Sequence, residues 1–175
     1  GMQPIDVDKQ YHFFNPRAGV SYTLAERNNF YLSFAVAQKE PTRSDFTDRY
    51  KFAADDTYPS SEKLYDWELG YTYTAPRLSL GVNLYYMKYK DQLVPMGMVN
   101  DDSNALNTNV PDSYRRGVEL SASWRATGWF TVGANATFSQ NRIENYVDAL
   151  KDSPTYGKEL GDMTIAYSPD VIANA

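Results

Sequence analysis

The chain has 175 residues, no cysteine and a formal net charge of −5; aromatic residues make up 15% of it, and tyrosine alone occurs 15 times. The missing cysteine excludes disulfides, thiolate metal sites and a cysteine nucleophile, and the acidic balance argues against an electrostatic hold on nucleic acid. Mean hydropathy is −0.57 despite the aromatic content, as strict alternation of apolar and polar residues produces, and no run approaches the ~18 apolar residues of a spanning helix.

The chain opens with Gly1-Met2, which reads like a tag-cleavage remnant, so the sequence is expected to begin inside a longer protein. After a polar lead-in, Phe14, Pro16, Ala18, Val20, Tyr22 and Leu24 alternate with Asn15, Arg17, Gly19, Ser21 and Thr23. Alternation of this kind is the mark of a half-buried strand, and the proline sits near its start, where a missing donor is tolerated. A short turn over 25–29 leads to a second strand, with Phe30, Leu32, Phe34 and Val36 on one face. Residues 40–62 are polar and carry Pro41 and Pro59, so they read as a loop in which Thr42 or Ser44 caps a helical turn.

A hairpin follows. Trp67, Leu69, Tyr71 and Tyr73 share one face of the third strand, and Leu78, Leu80, Val82, Leu84 and Tyr86 share one face of the fourth, with only a few residues around Pro76 between them. Residues 96–112 read as a second long polar loop. Val118, Leu120, Ala122 and Trp124 then carry a fifth strand, Thr127-Gly128 turns the chain, and Phe130, Val132, Ala134, Ala136 and Phe138 carry a sixth. A third long segment over 148–161 leads to a last strand near 163–168.

The expected fold is therefore all-β: an antiparallel up-and-down meander of about seven long strands. Short turns at 25–29, 75–77 and 127–129 alternate with long loops at 40–62, 96–112 and 148–161, which gathers the turns at one end of the sheet and the loops at the other. Such a sheet has two common solutions, a soluble sandwich or a barrel. The sandwich implies an adhesin-like surface module that binds glycan or protein. Three features favour a barrel in a bilayer. The strands match the roughly 9–11 residues of a tilted membrane strand rather than the five or six usual in soluble sheets. The asymmetry of turns and loops is that of outer-membrane barrels, and aromatics such as Tyr73, Trp124, Trp129 and Phe130 gather beside the short turns, where an interfacial girdle sits.

Five ordered segments then carry a resemblance: NPRAGVSYTL (15–24), FYLSFAVAQKEPTRSDF (30–46), SEKLYDWELGYTY (61–73), LYYMKYKDQLV (84–94) and NVPDSYRRGVELSASW (109–124), with SPDVI (168–172) fitting the strand that follows. Together they resemble the TonB-dependent outer-membrane receptors, particularly members from the Bacteroidetes. The family's barrel is 22-stranded and plugged. The resemblance implies that residues 1–175 are consecutive strands from the C-terminal half of such a transmembrane barrel in the Gram-negative outer membrane, without the plug domain and the terminal strands. It also implies energised uptake of a large nutrient such as a ferric siderophore, with outer-membrane lipid around the barrel and the TonB complex engaged through the plug region. The segments show no resemblance to the glycan-importing subgroup, which favours iron chelates.

Ligand contacts are expected from the long loops: Arg43, Arg49, Tyr50 and Tyr58 are the candidates, because arginines and aromatic platforms suit anionic ferric chelates. Their alternative is the ordinary solvated loop residue. Arg43 and Asp45 are also read as loop anchors, and Arg115, Arg116 and Glu119 as charge pairs on the lumen wall. Asp101, Asp102 and Asn104 lack the glycine and distal glutamate of a calcium loop. His12 is the only histidine, beside Tyr11, Phe13 and Phe14, and one imidazole does not build a metal site. No catalytic constellation or cofactor motif is apparent, so neither an enzyme nor a cofactor is expected. A sheet of about seven strands leaves two edges and an apolar face uncovered, so the isolated chain is expected to self-associate through them.

Overall fold

The computed structural model describes residues 10–46, 58–99, 105–148 and 153–175. Among them the strands are β1 (Arg17–Leu24), β2 (Asn28–Lys39), β3 (Glu62–Ala75), β4 (Leu78–Val99), β5 (Ala105–Arg125), β6 (Thr131–Ile143), β7 (Met163–Thr164) and β8 (Val171–Asn174). They form one antiparallel sheet in chain order, with β7 and β8 both paired to β6. No pairing among the described residues joins β1 to the far edge, so the sheet is open.

Alternation decides the two faces. On the outward face, Leu32, Leu69, Leu84, Val118 and Phe138 stand in one cross-strand row, and Phe30, Tyr71, Val82, Leu120 and Ala136 in the next. These side chains have no second sheet over them: Leu69 is 49% exposed, Leu84 44% and Val132 44%. A sandwich would have buried them, so the adhesin-like alternative loses its physical basis. The apolar rows extend from Leu78 to Tyr86, about 27 Å along the strand at about 3.4 Å per residue. A tilt of about 40° makes this roughly 21 Å, close to the ~25 Å lipid-facing band of outer-membrane barrels.

Aromatic pairs border the band on both sides. Phe30 packs on Tyr71 at 4.9 Å toward the short turns. Toward the loops, Trp67 lies between Phe34 at 5.2 Å and Tyr86 at 5.7 Å, and Tyr86 stacks on Tyr114. Rings at these levels sit where the interface offers an apolar side and a wet side.

Two of the expected boundaries are corrected. The loop expected over 96–112 is mostly ladder, since β4 runs on to Val99 and β5 starts at Ala105. Above the lipid band water reaches both faces, so the apolar alternation fades while the backbone pairing continues. The last strand, expected over 163–168, is broken: only Met163–Thr164 is strand there, and pairing resumes at Val171. Residues 166–169 bulge, between the β6 hydrogen bonds of Ile165 and Asp170, because Tyr167 has a left-handed backbone at φ 57° and Pro169 cannot donate to a ladder. The helical turn does form, over 43–46, and Thr42 is its cap: its amide donates to Asp45 Oδ2 at 2.8 Å while the Asp45 amide reaches Thr42 Oγ1 at 3.4 Å.

The one compact apolar cluster among the described residues lies beyond the band, where Val94, Val110, Ile143 and Ile165 are buried together with Tyr146 against them. Below it, odd-numbered residues of β4 and β5 face inward. At Asp91, which has φ 52°, and the opposing Pro111, the phase switches. Gln92 therefore meets Ser113, whose hydroxyl donates to Gln92 Oε1 at 2.5 Å in a fully buried contact.

Candidate functional site

The inward face is the opposite of the outward one. Asp66, Glu68, Asn83, Arg115 and Glu119 occupy inward positions of β3, β4 and β5, among small residues such as Gly70, Gly81 and Gly117. Two glycines make room for rings from the neighbouring strand: Tyr31 lies over Gly70 and Tyr85 over Gly117. Beside the Tyr85 ring lies a concavity of about 360 Å³, bordered by Glu68, Tyr85, Arg115, Glu119 and the bulge residue Ser168.

The bulge belongs to this wall. Arg115 Nη1 donates to Ser168 Oγ at 3.1 Å, and the Ser139 hydroxyl donates to the Pro169 carbonyl at 2.9 Å. Asn83 Nδ2 donates to Glu119 Oε2 at 3.2 Å, while Asn83 Oδ1 and Asp66 Oδ1 are buried and accept no hydrogen bond from the described residues. Three carboxylates thus share the inward face with one guanidinium. Chemically this wall suits water or a cationic, donor-rich surface.

Arg116 corrects the expectation for its pair. Neighbouring residues on a strand point to opposite faces, so Arg115 turns inward and Arg116 outward. There Arg116 donates to Gln140 at 2.9 Å and lies over the Tyr114 ring. Arg115 and Glu119 share the wall without forming an ion pair, since Arg115 goes to Ser168 and Glu119 to Asn83. The signal for the wall, an inward file of Asp66, Glu68 and Asn83, was present in the alternation itself.

The loop candidates lie at the other height, on the long-loop side. The extended β5 anchors the segment that carries them at two points: Asn107 Nδ2 donates to the buried Asp45 at 3.0 Å, and Asn109 exchanges hydrogen bonds with the Ser60 backbone at 2.9 and 3.1 Å. Asp45 is thus the loop anchor that was expected. Arg43 is exposed on the helical turn, and Tyr58, 58% exposed, packs its ring on Phe46 of the same turn at 6.0 Å. Tyr58 therefore packs on the turn that carries Arg43. Arg49 and Tyr50 lie outside the described residues, as do Asp101, Asp102 and Asn104. His12 is exposed ahead of β1, next to the stacked Tyr11 and Phe13. No group of three or more metal-ligating side chains occurs among the described residues.

The family profile described as "TonB dependent receptor-like, beta-barrel" matches residues 3–175. The chain belongs to that family. TonB-dependent receptors are transporters of the Gram-negative outer membrane rather than enzymes, and the open sheet is part of their barrel. Solved structures show the same fold. The FrpB iron transporter from Neisseria meningitidis (F3-3 variant) is 24% identical, with a TM-score of 0.58 over 85% of this chain and 23% of that one. The ferric-catecholate import receptor Fiu from K12 E. coli is 21% identical, with a TM-score of 0.57 over 89% of this chain and 20% of that one. The copper transporter OprC is 20% identical, with a TM-score of 0.59 over 71% and 20%. The chain thus spans about a fifth of the length of these structures. No curated protein matches the sequence significantly.

Proposed function

We propose that the receptor containing this chain imports a scarce nutrient held as a large anionic complex, a ferric siderophore in the first place, by energy coupling through TonB. One observation carries the reading: a single sheet has a lipid-facing side, an acceptor-rich lumen side and, above the membrane, loops pinned to a raised β4–β5 hairpin. Exposed Arg43 and Tyr58 on the loop side and a polar wall below are what support it. Fiu and FrpB are named as ferric-catecholate and iron carriers, which supports iron, while OprC as a copper transporter keeps a second metal in the test.

In this reading Arg43, Arg49, Tyr50 and Tyr58 contact the complex, with guanidinium groups against its negative charge and rings against its aromatic parts. The acidic wall of Asp66, Glu68 and Glu119 faces the plug and meets cationic groups on it. The isolated chain covers its apolar face and strand edges with further copies of itself. Uptake of radioactive iron as a ferric catecholate by cells expressing the whole receptor is the test. Loss of uptake on deleting the receptor, with a roughly tenfold weaker binding in Arg43→Ala, supports the proposal; copper uptake without ferric uptake contradicts it.

A further inference from the structure

Along the inward face of β4 and β5 the chemistry reverses from one end to the other. At mid-wall Asn83 opposes Glu119, with Asp66 and Glu68 beside them on β3. Toward the short turns the inward pairs become Gly81 with Ser121 and then Ser79 with Ser123. The last pair is two arginines. The Arg125 amide donates to the Arg77 carbonyl at 2.9 Å, which carries the β4–β5 ladder one step past Leu78 and Trp124. Leu78 and Trp124 face outward, so Arg77 and Arg125 fall in the inward register, directly opposite each other.

Like charges directly opposed on neighbouring strands repel. Both arginines are exposed, and neither forms an ion pair or a side-chain hydrogen bond among the described residues. Glu119 lies six residues up β5, about 20 Å away, well beyond the roughly 8 Å over which exposed charges act in physiological salt. Residues 24–30, 73–80 and 122–133, which make this rim, hold one carboxylate, Glu26, next to a third arginine. That arginine is Arg27, whose carbonyl accepts from the Thr74 amide at 2.8 Å. One row above the arginine pair, the Ser79 and Ser123 hydroxyls make no hydrogen bond among the described residues. The end of the wall therefore offers donors and no acceptor charge. An anion with several oxygens fits it, because each guanidinium presents paired N–H groups to paired oxygens. Short turns lie on the periplasmic side of such barrels, so the donors stand where the lumen opens to the periplasm.

We propose that Arg77, Arg125, Ser79 and Ser123 form a binding site for a multivalent oxyanion of the carboxylate or phosphate class at the periplasmic end of the lumen wall, with Arg27 adding charge at its edge. On the reading that the receptor carries an anionic complex, the site is the last contact of that cargo before the periplasm. Pyrophosphate, which belongs to no uptake reading, probes the site by itself.

Calorimetric titration of the whole receptor with pyrophosphate, in neutral detergent at low salt, is the experiment. Wild type is expected to show a salt-sensitive binding step. Arg77→Gln with Arg125→Gln weakens it about tenfold or more, while the heat-resistant fold is kept. Arg77→Lys with Arg125→Lys retains the charge without the paired donors and falls between the two. Ser79→Ala with Ser123→Ala, which leaves both charges in place, weakens it by a smaller factor. No pyrophosphate binding by wild type, or equal binding by wild type and all three variants, overturns the proposal. A lipid source is read in a second arm by native mass spectrometry with phosphatidylglycerol. Lipid binding that the Gln pair abolishes, with pyrophosphate binding untouched, would put the arginines in the headgroup layer and overturn the lumen site.

Discussion

The ring of Tyr31 lies across Gly70 on the neighbouring strand, so close that a methyl group at position 70 would overlap it. The obstacle is the far end of one side chain, which is able to swing away. Gly70→Ala is expected to cost the receptor about 1–3 kcal/mol in urea unfolding. Adding Tyr31→Ala should recover most of that loss, a coupling that a double-mutant cycle reads directly. Additive losses would show that the ring is not what fills the space.

Gly117 sets the contrast. A methyl group there would overlap the Tyr85 hydroxyl and also the backbone carbonyl of Phe138 on β6. Because a paired carbonyl does not move aside, Gly117→Ala is expected to be the more damaging change. Tyr85→Ala should fail to rescue it, as measured by the yield of heat-resistant folded receptor.

The clamps on the raised hairpin hold the segment between β2 and β3. Removing the Asn109 amide leaves the Ser60 backbone without its partner, and Asp45→Ala removes the acceptor for Thr42 and Asn107. Each change is expected to loosen the segment locally by about 1–3 kcal/mol without unfolding the barrel. Limited proteolysis should then cut between residues 46 and 62 several-fold faster, while cleavage elsewhere stays constant.

The pairs that Lys88 and Lys90 make with Asp112 and Glu144 predict a pH dependence. The Lys90 ammonium chiefly, with Lys88 helping, holds the Asp112 carboxyl below its ordinary 3.8 against a smaller opposing effect of burial. Burial pulls Lys88 down, but the hydrogen bonds and charges of Asp112 and Glu144 together outweigh it and keep Lys88 above its ordinary 10.5. The Asp112 contribution is therefore present above pH 3.8 and lost as pH falls through its lower folded value. The Lys88 contribution is present below pH 10.5 and lost as pH rises through its higher folded value. Asp112→Asn should lower stability by less than about 1 kcal/mol at neutral pH, and the difference from wild type should vanish in strong acid. A difference that persists below pH 2 would point to packing instead.

Strand identity and facing were legible wherever one face met lipid, because there each residue had only two environments to match. Leu84 and Asn83 differ by a single position and end on opposite sides of the sheet. Where both faces meet water, that contrast disappears. The polar residues 105–112 read as loop although they pair with β4, and the phase switch at Asp91 and Pro111 left no trace in an alternation that had already faded. The break in the last strand came from Tyr167 and Pro169, and its anchor, Arg115 on Ser168, joins residues 53 positions apart. Among the site candidates, Tyr58 packs on Phe46 of the turn that carries Arg43, a contact between rings that no local pattern encodes.

Leu84 faces lipid while Asn83 faces a polar lumen. This chain contains no cysteine, so in a receptor whose cysteines outside it, if any, are replaced by serine, single changes from Val82→Cys to Met87→Cys put one spin label at each position, studied in liposomes. Accessibility to oxygen and to a water-soluble nickel chelate is then measured along β4. A period of two is expected, with high oxygen accessibility at 82, 84 and 86 and low values at 83, 85 and 87. A uniform profile, or high nickel accessibility at 84, would contradict it.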